Sequence, residues 1–190
     1  KNYLLEKSRI EIRVTLEGPY GNSAPIDKFE NILFLAGGTG IPGPLSIAID
    51  AARADKNHSK SITLVWALRN LNLIQIYKAE LILLKDLMVN VQIYFTGEET
   101  KNIAVDGSEP IHPNHKEPLL LTSTSEVSTF HFGRPDMNNL IDSAIFSETS
   151  LLVVSCGSGP FVDKTREMTA MKILEYPEKF IDYVEDFQTW

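Results

Sequence analysis

Asn31-Ile-Leu-Phe-Leu-Ala36 runs directly into Gly37-Gly-Thr-Gly-Ile-Pro-Gly-Pro44. A short apolar run stops at a cluster of glycines, and a helix-forming segment follows. This reads as a strand, a tight turn and a helix start. In that order the three make a phosphate-binding device: glycines let the backbone approach a phosphate, and the helix N-terminus offers N–H groups without intrahelical partners. Gly38-x-Gly-x-x-Gly43 has the spacing of the dinucleotide fingerprint. An isolated match of this kind can equally be a turn that serves chain reversal, and its place between strand and helix is what favours the functional reading. A P-loop does not fit, because no Gly-Lys-Ser/Thr follows. A second glycine turn, Cys156-Gly-Ser-Gly-Pro-Phe161, ends another apolar run.

Outward from this stretch, strands and helices alternate. Ile10, Ile12, Val14 and Leu16 fall on one face of a half-buried strand over 8–17, closed by the turn Gly18-Pro-Tyr-Gly21. The first core strand covers 31–36. A helix follows from Pro42 to Ala54, with proline accommodated in its first turn. Ile62–Leu68 reads as a strand covered on both faces. Asn72 is placed to cap a helix whose Leu73, Ile76, Tyr77, Leu81 and Leu84 form one stripe. Val89–Phe95 is the third core strand. Residues 97–118 carry Gly, Pro, Asn, Glu and two histidines without periodicity, and read as an irregular insertion. Further strands are expected at 127–132, 151–155 and 180–187, with helices at 136–146 and 160–174. The alternation predicts an α/β fold with a doubly wound parallel sheet in a three-layer α-β-α arrangement. Ligands bind beyond the carboxyl ends of such strands. Those ends carry Gly37–Gly40, Arg69, Gly133-Arg134 and Cys156–Gly159, so the unusual residues converge on one rim.

Composition narrows the function classes. The chain has 190 residues, 43% of them hydrophobic, and a net charge of −7. That suits one large domain with a real core and argues against disorder and against a nucleic-acid partner. A single cysteine excludes an internal disulfide or a thiolate metal cluster. His112 and His115, in the irregular insertion, read as a chance pair rather than a weak metal site, and no metal site is expected. No apolar run reaches the roughly 20 residues of a membrane span. Lys1 in place of an initiator Met suggests a piece of a longer polypeptide.

The second strand ends Ala67-Leu-Arg-Asn70 where an acidic residue would grip a ribose 2′-hydroxyl. An arginine instead attracts a 2′-phosphate and can bind it through two parallel N–H bonds, so Arg69 favours NADP over NAD. Arg134 is a second candidate for that phosphate. Each is equally a surface arginine at a strand end. Cys156 has three readings: a nucleophile, for which no histidine motif supplies a base; a polarizable contact for a flat ring; or a small buried hydrophobe. His131, in an apolar strand, reads as a packed histidine. Trp190 reads as packed against a flat group or into the core.

These residues resemble the nicotinamide-nucleotide half of the ferredoxin–NADP reductase superfamily, and within it the fungal ferric reductases and related NADPH oxidases. Five motifs carry the resemblance in order: Glu17-Gly-Pro-Tyr-Gly21, Gly37-Gly-Thr-Gly-Ile-Pro-Gly-Pro-Leu-Ser46, His131-Phe-Gly-Arg-Pro-Asp136, Ser155-Cys-Gly-Ser-Gly-Pro160 and Phe187-Gln-Thr-Trp190. The resemblance implies a relay in which NADPH gives a hydride to FAD and electrons then pass to haem across a membrane. It implies that Gly37, Gly38, Thr39, Gly40, Ile41 and Pro42 cradle the pyrophosphate, and that Arg69 and Arg134 hold the 2′-phosphate. Cys156, with Gly157, Ser158 and Gly159, would border the nicotinamide, and Trp190 would cover the flavin.

Residues 1–25, including Gly18, Pro19, Tyr20 and Gly21, would belong to the flavin domain and 26–190 to the NADPH-binding domain. The implied partners are the protein's own FAD-binding and transmembrane haem domains, with this soluble portion on the cytosolic face of the plasma membrane or endoplasmic reticulum. Two departures stand out. The flavin domain's Arg-x-Tyr-Ser/Thr motif is absent, and Ser158 stands where the family has proline after Cys-Gly. The expected function is the NADPH module of a ferric or cupric chelate reductase. The alternatives are the dehydrogenase domain of a superoxide-producing NADPH oxidase and a nucleotide sensor without catalysis.

Overall fold

Strands of four to eight residues, punctuated by glycine, polar turns and helices, fold into one parallel sheet. A computed structural model describes residues 24–97, 128–147 and 150–185, together with Arg13 and Thr15. Its strands are β1 (Asn31–Gly37), β2 (Ser61–Leu68), β3 (Asn90–Phe95), β4 (Thr129–Phe132), β5 (Ser150–Cys156) and β6 (Phe180–Glu185). They lie in the order β4-β3-β2-β1-β5-β6, and every pairing is parallel. The helices are α1 (Pro42–Ala54), α2 (Asn72–Ile76), α3 (Lys78–Asp86), α4 (Met137–Ser147) and α5 (Gly159–Glu175).

The period-two rule divides the core between the two faces. Ile32, Phe34 and Ala36 of β1 point with Leu64, Trp66 and Leu68 of β2 towards Leu45, Ala48 and Ala52 of α1 and Leu81 and Leu84 of α3. Leu33 and Leu35, with Val65, Leu151 and Val153, point the other way, towards Met137, Ile141 and Ile145 of α4. The central strands β1 and β5 are buried on both faces, which is why their sequences run apolar without alternation. From β1 the chain winds outward through β2 to β4, and from β5 it winds to β6 on the opposite side. Right-handed crossovers put the two sets of helices on opposite faces, giving the expected three layers.

Polar contacts fix the seams. The Asn31 amide donates to the Ala144 carbonyl at 2.6 Å, and the Glu30 N–H donates to Ser150 Oγ at 2.9 Å. The buried Lys172 ammonium of α5 pairs with Asp142 of α4 at 2.6 Å and with Glu175 at 2.8 Å.

One expected element differs. The single helix read from Asn72 through Leu84 is two helices broken at Tyr77, whose φ of −104° and ψ of 16° leave the helical region. Tyr77 sets its ring edge-on to Trp66, with centroids 5.8 Å apart, and Ile76, placed on the buried stripe by periodicity, is 66% exposed. Asn72 is not the cap: Asn70 Oδ1 accepts the Asn72 N–H at 2.9 Å from two residues upstream. Apart from Arg13 and Thr15, the strand over 8–17 and the turn Gly18–Gly21 lie outside the described residues, as do 98–118 of the insertion, 119–127, 148–149 and 186–190.

Candidate functional site

Between β1 and β5 the winding reverses, and both strands end there in a glycine turn. β1 runs through Gly37 into a 3-10 turn, Gly38–Gly40, and α1 begins at Pro42. β5 ends at Cys156, and α5 begins at Gly159. The two turns meet backbone to backbone. A methyl group on Gly40 would lie 2.9 Å from the carbonyl carbon and oxygen of Cys156 and from Cα of Gly157. One on Gly157 would lie 3.1 Å from Cα of Gly37. The Phe161 ring closes the floor, 3.1 Å from where a Gly37 Cβ would stand. Gly38 is glycine for a different reason: its φ is +56°, a left-handed conformation costly to other residues, and its outer side is open. The two motifs read separately along the chain thus form one cradle.

The Gly38 carbonyl is turned away from the rim. It accepts the indole N–H of Trp66 at 2.8 Å, from a side chain fully buried under the loop. Trp66 was not singled out by sequence reasoning. The available signal was a tryptophan inside an apolar strand, since a buried indole N–H needs a partner.

Arg69 and Arg134 also come to this rim. Leu68, Phe95 and Phe132 stand side by side across β2, β3 and β4. The ladder continues one step further, with the Thr96 N–H donating to the Leu68 carbonyl and the Gly133 N–H to the Phe95 carbonyl, both at 2.8 Å. Arg69 follows β2 by one residue and Arg134 follows β4 by two, so their backbones are separated by about two strand spacings, roughly 10 Å. Both are exposed, and neither forms an ion pair among the described residues. Gly133, at φ +96°, turns the chain so that Arg134 clears the sheet.

Below Arg134, His131 stacks on Tyr94 with centroids 4.4 Å apart, a packed histidine as its apolar strand suggested. Burial raises the Tyr94 hydroxyl pKa, and the Asp136 charge adds to this. Asp136 caps α4, accepting the N–H groups of Asn138 and Asn139 at 3.1 and 3.2 Å.

Cys156 is buried at the end of β5. Beside it Ser155 Oγ lies 2.6 Å from the Tyr183 hydroxyl, and the Tyr183 pKa is raised first by burial, the Ser155 hydrogen bond opposing. Arg166 of α5 joins Glu185 at the end of β6 to Asp163. Gly37 to Pro42, Arg69, Arg134 and Cys156 to Gly159 therefore share one edge of the sheet. Gly18, Pro19, Tyr20, Gly21 and Trp190 lie outside the described residues. Among the described residues, no group of His, Cys, Asp and Glu side chains has a metal-binding arrangement, and no helix is long and apolar enough to cross a membrane.

Comparison with known proteins agrees with this architecture. The family described as ferric reductase NAD binding domain matches residues 29–170. Ferric reductase transmembrane component 5 of Saccharomyces cerevisiae is 45% identical over 193 residues, covering 100% of this chain and 28% of that protein. Ferric reductase transmembrane component 3 of the same yeast is 37% identical over 195 residues, covering 96% of the chain and 27% of that protein. A Candida albicans ferric/cupric reductase transmembrane component 1 is 29% identical over 194 residues, with 94% of the chain and 25% of that protein covered. The chain spans little more than a quarter of the length of these relatives.

Proposed function

The chain belongs to the ferric reductase NAD-binding domain family, and on that premise we propose that it is the NADPH-binding module of a transmembrane flavohaem reductase acting on ferric or cupric chelates. The carrying observation is the cradle at the point where the winding reverses: Gly40 presses on the Cys156 carbonyl so closely that no side chain fits between the two turns. Doubly wound sheets bind dinucleotides at that point.

The residues present suit the nucleotide. Gly37, Gly38, Thr39, Gly40, Ile41 and Pro42 wrap the pyrophosphate; Pro42 and Pro44 have no N–H, so the donors come from the turn and Gly43 rather than from a full first helical turn. Arg69 and Arg134 take the 2′-phosphate, a dianion that two guanidinium groups neutralise from the ends of β2 and β4, on either side of β3. Cys156, Gly157, Ser158 and Gly159 border the nicotinamide with backbone and a small, polarizable side chain. By the resemblance, Trp190 would cover the flavin and Gly18, Pro19, Tyr20 and Gly21 would belong to the flavin domain; all five lie outside the described residues.

When bound, NADPH would supply a hydride to FAD held by the flavin domain that the resemblance implies, with haem as the onward electron acceptor. This chain binds and orients the donor at a rim that excludes water on its floor side, where Phe161 and Trp66 close it. The resemblance would put this module on the cytosolic face of the plasma membrane or endoplasmic reticulum. The names of the relatives specify ferric or cupric reduction, which favours a metal chelate over oxygen as the acceptor.

Titration calorimetry with NADPH and NADH tests this reading. NADPH binds more tightly. Arg69→Ala removes most of that preference, and Arg134→Ala removes part of it. A charge-assisted hydrogen bond is worth about 1.5–3 kcal/mol, so the loss is roughly ten- to a hundred-fold in NADPH affinity with little change for NADH. Equal affinities of the wild-type chain for the two nucleotides overturn the assignment.

A further inference from the structure

We infer that Trp66 is a positioning residue for the nucleotide cradle, fixing the Gly38–Thr39 peptide so that its carbonyl faces the core and its N–H faces the phosphate. The inference rests on the reading of the cradle as a pyrophosphate site.

The geometry is specific. In a trans peptide the C=O and the following N–H point in opposite directions. The indole N–H of Trp66 holds the Gly38 oxygen at 2.8 Å from beneath. The Thr39 N–H is therefore turned to the outer side of the loop, where the left-handed Gly38 leaves open space. Without that anchor the Gly38 oxygen is held only by its own 3-10 turn, and an outward swing presents a partial negative charge to an anion. Glycine at position 38 makes such a swing easy, because it accepts almost any backbone geometry. Thr39, which keeps a negative φ, opposes only the complete flip.

Trp66 is itself tightly packed. It is fully buried within β2, its ring meets Tyr77 edge-on at 5.8 Å and 85°, and it belongs to the core cluster that includes Ala36, Ile41 and Leu45 around the loop. The break between α2 and α3 puts Tyr77 in that position. The cradle geometry is thus set by a side chain that touches no part of the nucleotide.

The test uses the full chain carrying Trp66→Phe, which removes the N–H together with three ring atoms from a fully buried position, so each titration is read beside the melting temperature. Two ligands are titrated. NADPH spans both the cradle and the arginines, whereas 2′-AMP carries the 2′-phosphate and lacks the pyrophosphate. The expected result is an NADPH affinity about five- to ten-fold weaker, the worth of one hydrogen bond in a binding constant, with 2′-AMP affinity unchanged. Trp66→His, which can offer a ring N–H to the same carbonyl, is expected to regain part of the loss.

A purely structural role predicts a lowered melting temperature with both affinities unchanged, or with both reduced alike; either result overturns the inference. Failure of the wild-type chain to bind NADPH overturns the cradle reading as well. Normal wild-type binding with an unaffected Trp66→Phe variant overturns this inference alone.

Discussion

Gly40→Ala probes the contact on which the site is built. The added methyl meets three backbone atoms at 2.9 Å, and ordinary contact for a Cβ begins at 3.4 Å, so one turn must retreat from the other by about 0.5 Å. No flexible side chain can give way, since all three neighbours are backbone. Overpacking of this kind costs about 1–3 kcal/mol. Taking about 2 kcal/mol, the melting temperature falls by roughly 4–8 °C for a chain of this size. NADPH affinity falls about tenfold, because the displacement lies across the cradle and misaligns a hydrogen bond to a charged phosphate.

Two other glycines supply the controls for stability. Gly38→Ala meets no atom within 4 Å but must hold φ +56°, a cost of about 1–2 kcal/mol without a clash. Gly159→Ala also meets nothing within 4 Å and sits at the first residue of α5, where alanine is the better helix former. Scanning calorimetry should rank the melting temperatures Gly40→Ala lowest, Gly38→Ala next and Gly159→Ala at or above wild type. A Gly40→Ala protein that melts with wild type and binds NADPH equally refutes the backbone-contact argument.

Two further predictions concern the scaffold. Lys172→Met leaves the half-buried Asp142 carboxylate without its cation and costs about 3 kcal/mol in urea unfolding, whereas the double variant with Asp142→Asn recovers part of that loss. The Asp142 hydrogen bond first, then Glu175, raises the Lys172 pKa, so the stabilisation is fully present below the ordinary value of 10.5 and disappears only as strong alkali removes the proton. For Asp55, burial alone would raise the pKa. The Lys60 and Ser59 N–H groups, the Ser59 hydroxyl and the His58 charge outweigh it and hold the carboxylate below its ordinary 3.8. Asp55→Asn therefore destabilises the chain at neutral pH, and the difference from wild type in thermal unfolding shrinks as pH falls below about 4. A difference independent of pH sinks that account.

The strands were legible because burial on both faces leaves no room for polar residues, so β1, β2 and β5 stand out as apolar runs between turns. The position of α1 was legible from the glycines and prolines that open it. The helix after β2 was misjudged because periodicity reports only which positions are apolar. Ile76 and Tyr77 satisfy a helical stripe, yet the helix breaks at Tyr77, whose ring meets Trp66 edge-on. Trp66 escaped notice for the same reason: along the chain it is one more apolar strand residue, 28 positions from the carbonyl it holds.

The sequence alone determined that two glycine turns follow two strands, that arginines replace an acid at the strand ends, and that the chain resembles a ferric reductase nucleotide domain. Those are local facts, fixed by residue chemistry and spacing. Only the tertiary structure decided that Gly40 and Cys156 share one contact, that Arg69 and Arg134 stand two strands apart on the same rim, and that an indole beneath the loop donates to the Gly38 carbonyl. The reason is physical: strand order and register bring together atoms more than a hundred residues apart, and the space between two backbones, which no single segment encodes, exists only once both are in place.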